Sequence, residues 1–362
     1  MSMHSKKRIF IIGGGLTGLT LAYLLSKSKY NVTILEASRR LGGRIHTKKG
    51  KLETPLELGA TWFSDIHQNL LAFLDELGIN RFFQFSKGIS LFQTKSFEPA
   101  QSFYVPESES PSYRIAGGTQ KIIEILSKNL ADVEIHLNAS VSQVNDLGSE
   151  MLIETSDGKR WSAETVVLCM PPHLVGVKIS FSPDLPKDIC QLLPTVHTWM
   201  AGSVKFVLEY EKPFWRENGY SGMLYSHVGI VTELYDHTNV EESKFGFTGF
   251  LNSGISSYSQ EVRKELVLKQ LASLLGNQIL NFISYDDKVW TDEYISGGPQ
   301  KIQRPHQHNG HPLLQESYMN GKLYFSGTET ATQFSGYMEG AIISAINVAE
   351  KIKSRFKSPF LP

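Results

Sequence analysis

Cysteine is almost missing from this chain, with only Cys169 and Cys190 in 362 residues. Two thiols cannot staple a small secreted scaffold, so they read as free thiols in a reducing compartment. No cysteine–histidine spacing suited to a metal is present either. His306, His308 and His311 do cluster in Arg304-Pro-His-Gln-His-Asn-Gly-His-Pro312. Proline and glycine run through that stretch and no cysteine is near, which favours a solvated loop over a metal centre. Neither sign of charge is in excess, with 36 Lys plus Arg against 36 Asp plus Glu. No global field therefore favours nucleic acid. Long apolar runs are lacking as well, and nothing approaches the ~20 residues of a spanning helix. The apolar run behind the polar, basic Met1–Arg8 is too short for a signal peptide and is needed as a strand. The expectation is a soluble, cytoplasmic protein without membrane contact, long enough to bury one large core or two interleaved ones.

What the chain does have is glycine in two informative places. Arg8-Ile-Phe-Ile-Ile-Gly13-Gly-Gly15-Leu-Thr-Gly18 is a buried strand followed by G-x-G-x-x-G and the helical pattern Leu19, Ala22, Tyr23, Ser26. A second strand, Asn31 to Leu35, ends in Glu36, eighteen residues after Gly18. Gly13 makes the tight turn, Gly15 lets backbone approach a pyrophosphate, and Gly18 lets helix and strand pack closely. Glu36 then accepts from a ribose diol. The other place is Phe325-Ser-Gly-Thr328-Glu329-Thr-Ala-Thr-Gln-Phe334-Ser-Gly-Tyr337-Met338-Glu-Gly-Ala341, with a strand before it and apolar residues at helical spacing after it. Ser335 and Gly336 suit the start of that helix, whose free N–H groups attract an electron-rich or anionic ligand group. Beyond Glu36, the second glycine pair Gly42-Gly43 with Arg44 can close over the same dinucleotide.

Taken together, these residues resemble the flavin-containing amine oxidase family, closest to its monoamine oxidase branch. The resemblance runs through Glu57-Leu-Gly59-Ala60-Thr61-Trp62, Tyr113-Arg-Ile-Ala-Gly-Gly118, Val166 to Pro172, Gly202-Ser-Val-Lys205, Lys212 to Trp215 and Trp290 to Gly298, and ends in the C-terminal run. These stretches are collinear and cover nearly the whole chain. The family implies an α/β fold: a Rossmann-like FAD-binding domain interleaved with an α+β substrate domain containing a mixed sheet. The expected division is 1–81, 116–194 and 319–362 for the cofactor and 82–115 and 195–318 for the substrate. Helices are expected at Leu70–Leu77, Ile122–Leu130 and Gln260–Leu275, and strands at Glu134–Val141, Ser203–Tyr210 and Ile230–Tyr235.

By the same resemblance, FAD contacts fall on Gly13, Gly15, Gly18, Glu36, Gly43, Arg44, Gly59, Ala60, Thr61, Val141, Thr328, Glu329, Tyr337, Met338 and Ala341. Val141 offers backbone to the adenine, and Glu329 has helix capping as its alternative role. Lys205 matches the lysine that reaches flavin N5 through a water. Trp290 and Tyr337 pack near the ring, and Trp62, Gln300, Tyr337 and Glu233 face the substrate. The partners implied are a small-molecule amine and molecular oxygen.

Two departures from the family stand out. Only 51 residues separate Trp62 from Arg114, where relatives carry a longer helical insertion over the substrate cavity. Short strands and the Ser/Pro/Glu-rich stretch Glu98–Pro111 remain, so the cavity is either more open or covered by a second subunit of a homo-oligomer. After Gly297-Gly298, animal monoamine oxidases have a cysteine that bonds the flavin and a tyrosine that walls the amine; this chain has Pro299 and Gln300. Proline offers no nucleophile, so FAD is expected to be held without a covalent bond. Animal monoamine oxidases carry a membrane-anchoring helix after the last helix, and this chain is expected to be without one. Two other readings remain open: an FAD oxidase or desaturase of the same fold acting on a porphyrinogen or isoprenoid, and a non-catalytic flavoprotein.

Overall fold

The computed structural model describes residues 6–28, 30–291 and 304–357. The strand Lys7–Ile12 alternates its side chains between two cores. Ile9 and Ile11 point into one, against the helices Leu16–Ser26, Gln68–Glu76, Gln120–Asn129 and Met338–Lys357. Phe10 and Ile12 point into the other, against a four-stranded sheet and two short helices between 141 and 193. A strand apolar on both faces belongs inside a covered parallel sheet. It pairs in parallel with Tyr30–Leu35 on one side and Thr165–Leu168 on the other. Glu134–His136 and Leu323–Phe325 extend this sheet in parallel, and Ser317–Tyr318 closes one edge antiparallel. Segments far apart in sequence thus bring their C-terminal strand ends to one edge, where ligands bind in such sheets.

A second sheet has seven strands in the order Ser284–Val289, Val204–Tyr210, Phe245–Leu251, Val231–Asp236, Tyr220–Ser226, Gly88–Gln93 and Gln101–Val105. It is mixed, because Tyr220–Ser226 and Gly88–Gln93 run parallel while the other pairs are antiparallel. Val204, Phe206 and Leu208 pack with Val267 and Leu271 of the helix Gln260–Leu275. Lys205, Val207 and Glu209 turn the other way, and Val207 meets Leu56 and Leu58 of the first part of the chain. That alternation carries Lys205 to the boundary between the two sheets.

Most expected elements are present, with shifted ends. The helix expected at Ile122–Leu130 runs Gln120–Asn129. The strand expected over Glu134–Val141 breaks after His136, where Asn138 takes a φ of +56°, and a new strand starts at Val141. Within Glu98–Pro111, Gln101–Val105 pairs with Gly88–Gln93 as the outer strand of the larger sheet. The last helix starts at Met338, two residues beyond Gly336, whose φ of +88° is left-handed and cannot belong to a helix.

Candidate active site

The Gly-rich turn after the first strand is built by close approach. A Cβ on Gly18 would lie 2.0 Å from the Gly13 carbonyl oxygen, so only glycine lets the helix Leu16–Ser26 seat on that turn. A Cβ on Gly15 would meet nothing within 4 Å and would project into open space. The second glycine pair closes on the first, with Gly42 N–H donating to the Gly14 carbonyl at 2.9 Å. The Glu36 carboxylate accepts from Gly14 N–H at 2.6 Å and Ser38 N–H at 2.8 Å, which fixes it at the rim of the turn.

That open space is one continuous cavity of about 870 Å³. Gly13, Gly15, Glu36, Gly43, Arg44, Gly59, Ala60, Thr61, Trp62, Val141, Lys205, Glu233, Trp290, Thr328, Glu329, Tyr337, Met338 and Ala341 line it. Gly18 stands behind the turn rather than on the cavity wall. Gln300 and Pro299 lie outside the described residues. At mid-cavity, Glu329 is buried and its carboxylate lies 2.7 Å from the Arg44 guanidinium. Glu339 caps another helix: its carboxylate accepts from the backbone of Asn69 and Leu70 at 3.1 and 2.6 Å, at the start of Gln68–Glu76. Thr328 donates its hydroxyl to the Tyr337 carbonyl at 2.8 Å and so ties the loop to the start of the last helix.

At the far end, Lys205 is 2% exposed and donates from Nζ to the Gly59 carbonyl at 2.8 Å and to Thr61 Oγ1 at 2.5 Å. Its ammonium lies 4.9 Å from the Trp62 ring centre and 5.4 Å from that of Phe250. Burial pulls it from its ordinary 10.5 down to about 7; Glu57 opposes that fall and Arg114 adds to it. Trp62 is fixed in turn, its indole donating to Gln84 Oε1 at 2.8 Å and packing on Tyr235. Trp290 is held by its indole donating to the Leu58 carbonyl at 2.8 Å. Tyr337 keeps 44% of its surface exposed. Glu233 accepts from the Tyr235 hydroxyl at 2.7 Å and also lines a smaller adjoining cavity with Tyr225, His227 and Asn252.

The sequence reading missed several of these residues. Trp199, Met200, Thr232 and Phe250 line the cavity but carry no local motif, since tertiary pairing alone brings them there. The His306 loop is not simply solvated. His306 stacks on Trp199 at 4.5 Å and lies parallel to Tyr337 at 6.3 Å, while its backbone N–H donates to His197 Nδ1 at 3.1 Å. His308 fits the solvated reading and is exposed.

Among the described residues, nothing lining this cavity opposes a flavin dinucleotide. The glycine cradle has no side chain to block it, the carboxylate of Glu36 stands at one end, and an apolar chamber with aromatic walls stands at the other. Site and fold together define a flavin-dependent oxidoreductase. Residues 16–97 and 81–353 match the family model described as flavin containing amine oxidoreductase, and the chain belongs to that family. It is similar to the probable flavin-containing monoamine oxidase A of Dictyostelium discoideum, at 25% identity over 96% of this chain and 97% of the relative. Its fold is similar to that of a putrescine oxidase solved with bound putrescine (TM-score 0.82, 22% identity, 97% of this chain and 99% of that one). It is also similar to that of the cyclohexylamine oxidase of Brevibacterium oxydans (TM-score 0.83, 19% identity, 98% and 100%). Among the described residues, no helix is long and apolar enough to cross a membrane.

Proposed function

We propose that this chain oxidises a primary or secondary amine at its α-carbon to an imine, with non-covalent FAD as cofactor and molecular oxygen as the final acceptor. Bound FAD supplies a hydride acceptor at N5 and, on reoxidation by oxygen, yields hydrogen peroxide. The observation that carries this reading is the position of Lys205, buried where the glycine-lined cavity meets the larger sheet.

The chain's own residues then have distinct tasks. Gly13, Gly15, Gly43, Arg44 and Glu36 bind the dinucleotide backbone, and Val141 borders the adenine end. Thr328, Glu329, Met338 and Ala341 border its middle, with the Gly59–Thr61 turn across the cavity. Trp290 and Tyr337 wall the reacting end and hold the amine in line, which supplies rate through positioning. Lys205 holds a water with its remaining valence and serves the oxygen half-reaction. Glu233, at the junction of the two cavities, attracts a second cationic group on the substrate. A diamine-type substrate suits that carboxylate, and the likeness to a putrescine oxidase supports it. The division into cofactor segments 1–81, 116–194 and 319–362 and substrate segments 82–115 and 195–318 belongs to this proposal; all strands of the seven-stranded sheet lie in the substrate segments, while Ser317–Tyr318, at the end of one of them, pairs into the six-stranded sheet.

The test is an anaerobic panel of mono- and diamines of graded length, followed by bleaching of the visible flavin absorption, with peroxide measured on admitting oxygen. Bleaching by amines, strongest for those with a second cation, is the expected result. A panel in which no amine bleaches the flavin would overturn the reading.

A further inference from the structure

Behind Lys205, on the side away from the cavity, three buried ionisable groups take no part in the proposed reaction: Glu57, Arg114 and His237. Glu57 ends the strand whose continuation supplies Gly59 and Thr61, the two acceptors of Lys205. Its carboxylate is held by neutral donors, the Thr47 hydroxyl at 2.9 Å and Thr119 N–H at 2.5 Å. Its backbone N–H donates to His237 Nε2 at 3.2 Å. Full burial, joined by the charges of Arg114 and Lys205, pushes the proton affinity of this imidazole well below the ordinary range. Arg114 stacks over Phe82 at 4.9 Å, and its Nη1 is buried with no hydrogen-bond partner among the described residues.

Neutral donors leave the charges of Glu57, Lys205 and Arg114 to act on one another through a poorly screened interior. Glu57 favours the charged lysine and Arg114 opposes it. Burial raises the Glu57 carboxyl, and Lys205 counters that rise. The other charged groups facing this cluster come from the larger sheet and from the short helix Phe214–Glu217. Lys288 stands opposite Lys205 across one strand pair, and Glu233 stands two strands away through Phe250. Asp236 and Arg216 lie beside Arg114 but largely satisfy each other, with bonds of 2.8 and 2.9 Å.

Nζ of Lys205 spends two of its three outward valences on Gly59 and Thr61. The third is an N–H donor when the side chain is charged and a lone pair when it is neutral. A substrate amine or bridging water therefore meets a donor in one state and an acceptor in the other. We propose that Glu57 and Arg114 are positioning residues of opposite sign that set which of these two states Lys205 presents to the cavity. The inference rests on the reading of Lys205 as a flavin-facing residue.

Opposite signs make the test sharp. The flavin's visible spectrum is titrated with pH in the holoenzyme of the parent, Glu57→Gln, Arg114→Met, Arg114→Lys and Lys205→Met. Reoxidation rates are recorded over the same range. The parent should show a transition that Lys205→Met removes. Glu57→Gln, which can still accept from Thr47 and Thr119, should move the midpoint down by about one unit, a tenfold loss of proton affinity. Arg114→Met should move it up, and Arg114→Lys should restore the parental value. Midpoints that stay fixed, or move in the same direction in both variants, overturn the proposal while leaving Lys205 in place. A transition that persists in Lys205→Met overturns the reading of Lys205 itself, and this inference with it.

Discussion

Lys205 is a poor choice for stability and a telling one for function. An ammonium buried to 2% exposure is costly, and two hydrogen bonds recover only part of that cost. Its folded-state value of about 7 lies below the ordinary 10.5. The folded protein therefore binds fewer protons than the unfolded chain between these two values. The Lys205 penalty is full below the lower value and is relieved as pH rises through the window toward the upper one. Lys205→Met should accordingly raise the melting temperature most below about pH 7, with the gain shrinking toward pH 10.5. The same variant should slow reoxidation of reduced flavin by oxygen far more than its anaerobic reduction by amine. Stopped-flow measurement of the two half-reactions checks this. Equal reoxidation in mutant and parent would remove Lys205 from the oxygen chemistry.

At the level of elements, the two glycines of the first turn separate folding from binding. A methyl on Gly18 meets the Gly13 carbonyl oxygen at 2.0 Å, and that atom is backbone, so the helix must back away from the strand. Gly18→Ala should lose about 1–3 kcal/mol of stability, as overpacking does, with or without flavin. Gly15 has a φ of −76°, unstrained for alanine, and its added methyl faces only the cavity. Gly15→Ala should leave the flavin-free protein as stable as the parent but weaken FAD binding severalfold. Denaturant melts and fluorescence titration read the two effects, and equal losses in both variants would refute the division. This steric logic also explains what the sequence revealed. The Gly13–Gly18 turn and Glu36 form a local pattern whose spacing suggests its use, whereas the role of Lys205 comes from the family resemblance, with an inward lysine in an apolar strand as its only local sign. Trp199 and Phe250 reach the cavity only through loop folding and strand pairing, which no local pattern records. For His306, the proline and glycine around it point only to a solvated loop. Its burial against Trp199 and Tyr337 depends on Gly336, where a Cβ would lie 3.0 Å from the imidazole.

Across the whole molecule, one cavity is walled by residues from Ile12 to Ala341, drawn from both large sheets and from both ends of the chain. A ligand filling it touches segments that are otherwise joined through their own contacts. It binds the folded chain only, so it should stabilise by RT ln(1 + [L]/Kd), about 2.7 kcal/mol at a hundredfold excess over Kd. The melting temperature should therefore rise with added FAD and keep rising with its concentration, which scanning calorimetry reads directly. No covalent anchor is expected, because the position after Gly297-Gly298 is Pro299, which has no nucleophile. Acid precipitation destroys the fold and with it every non-covalent contact, so the yellow colour should leave with the supernatant. Flavin that stays with the pellet would require a bond from another side chain. Of the two cysteines, Cys169 lines the cavity, so Cys169→Ser would then identify or exclude the attachment. Burial pushes the Cys169 thiol up to about 12, which leaves almost no thiolate to attack a flavin near neutral pH. Held without a covalent bond, FAD should lend this chain a stability that is reversible and set by the cofactor concentration.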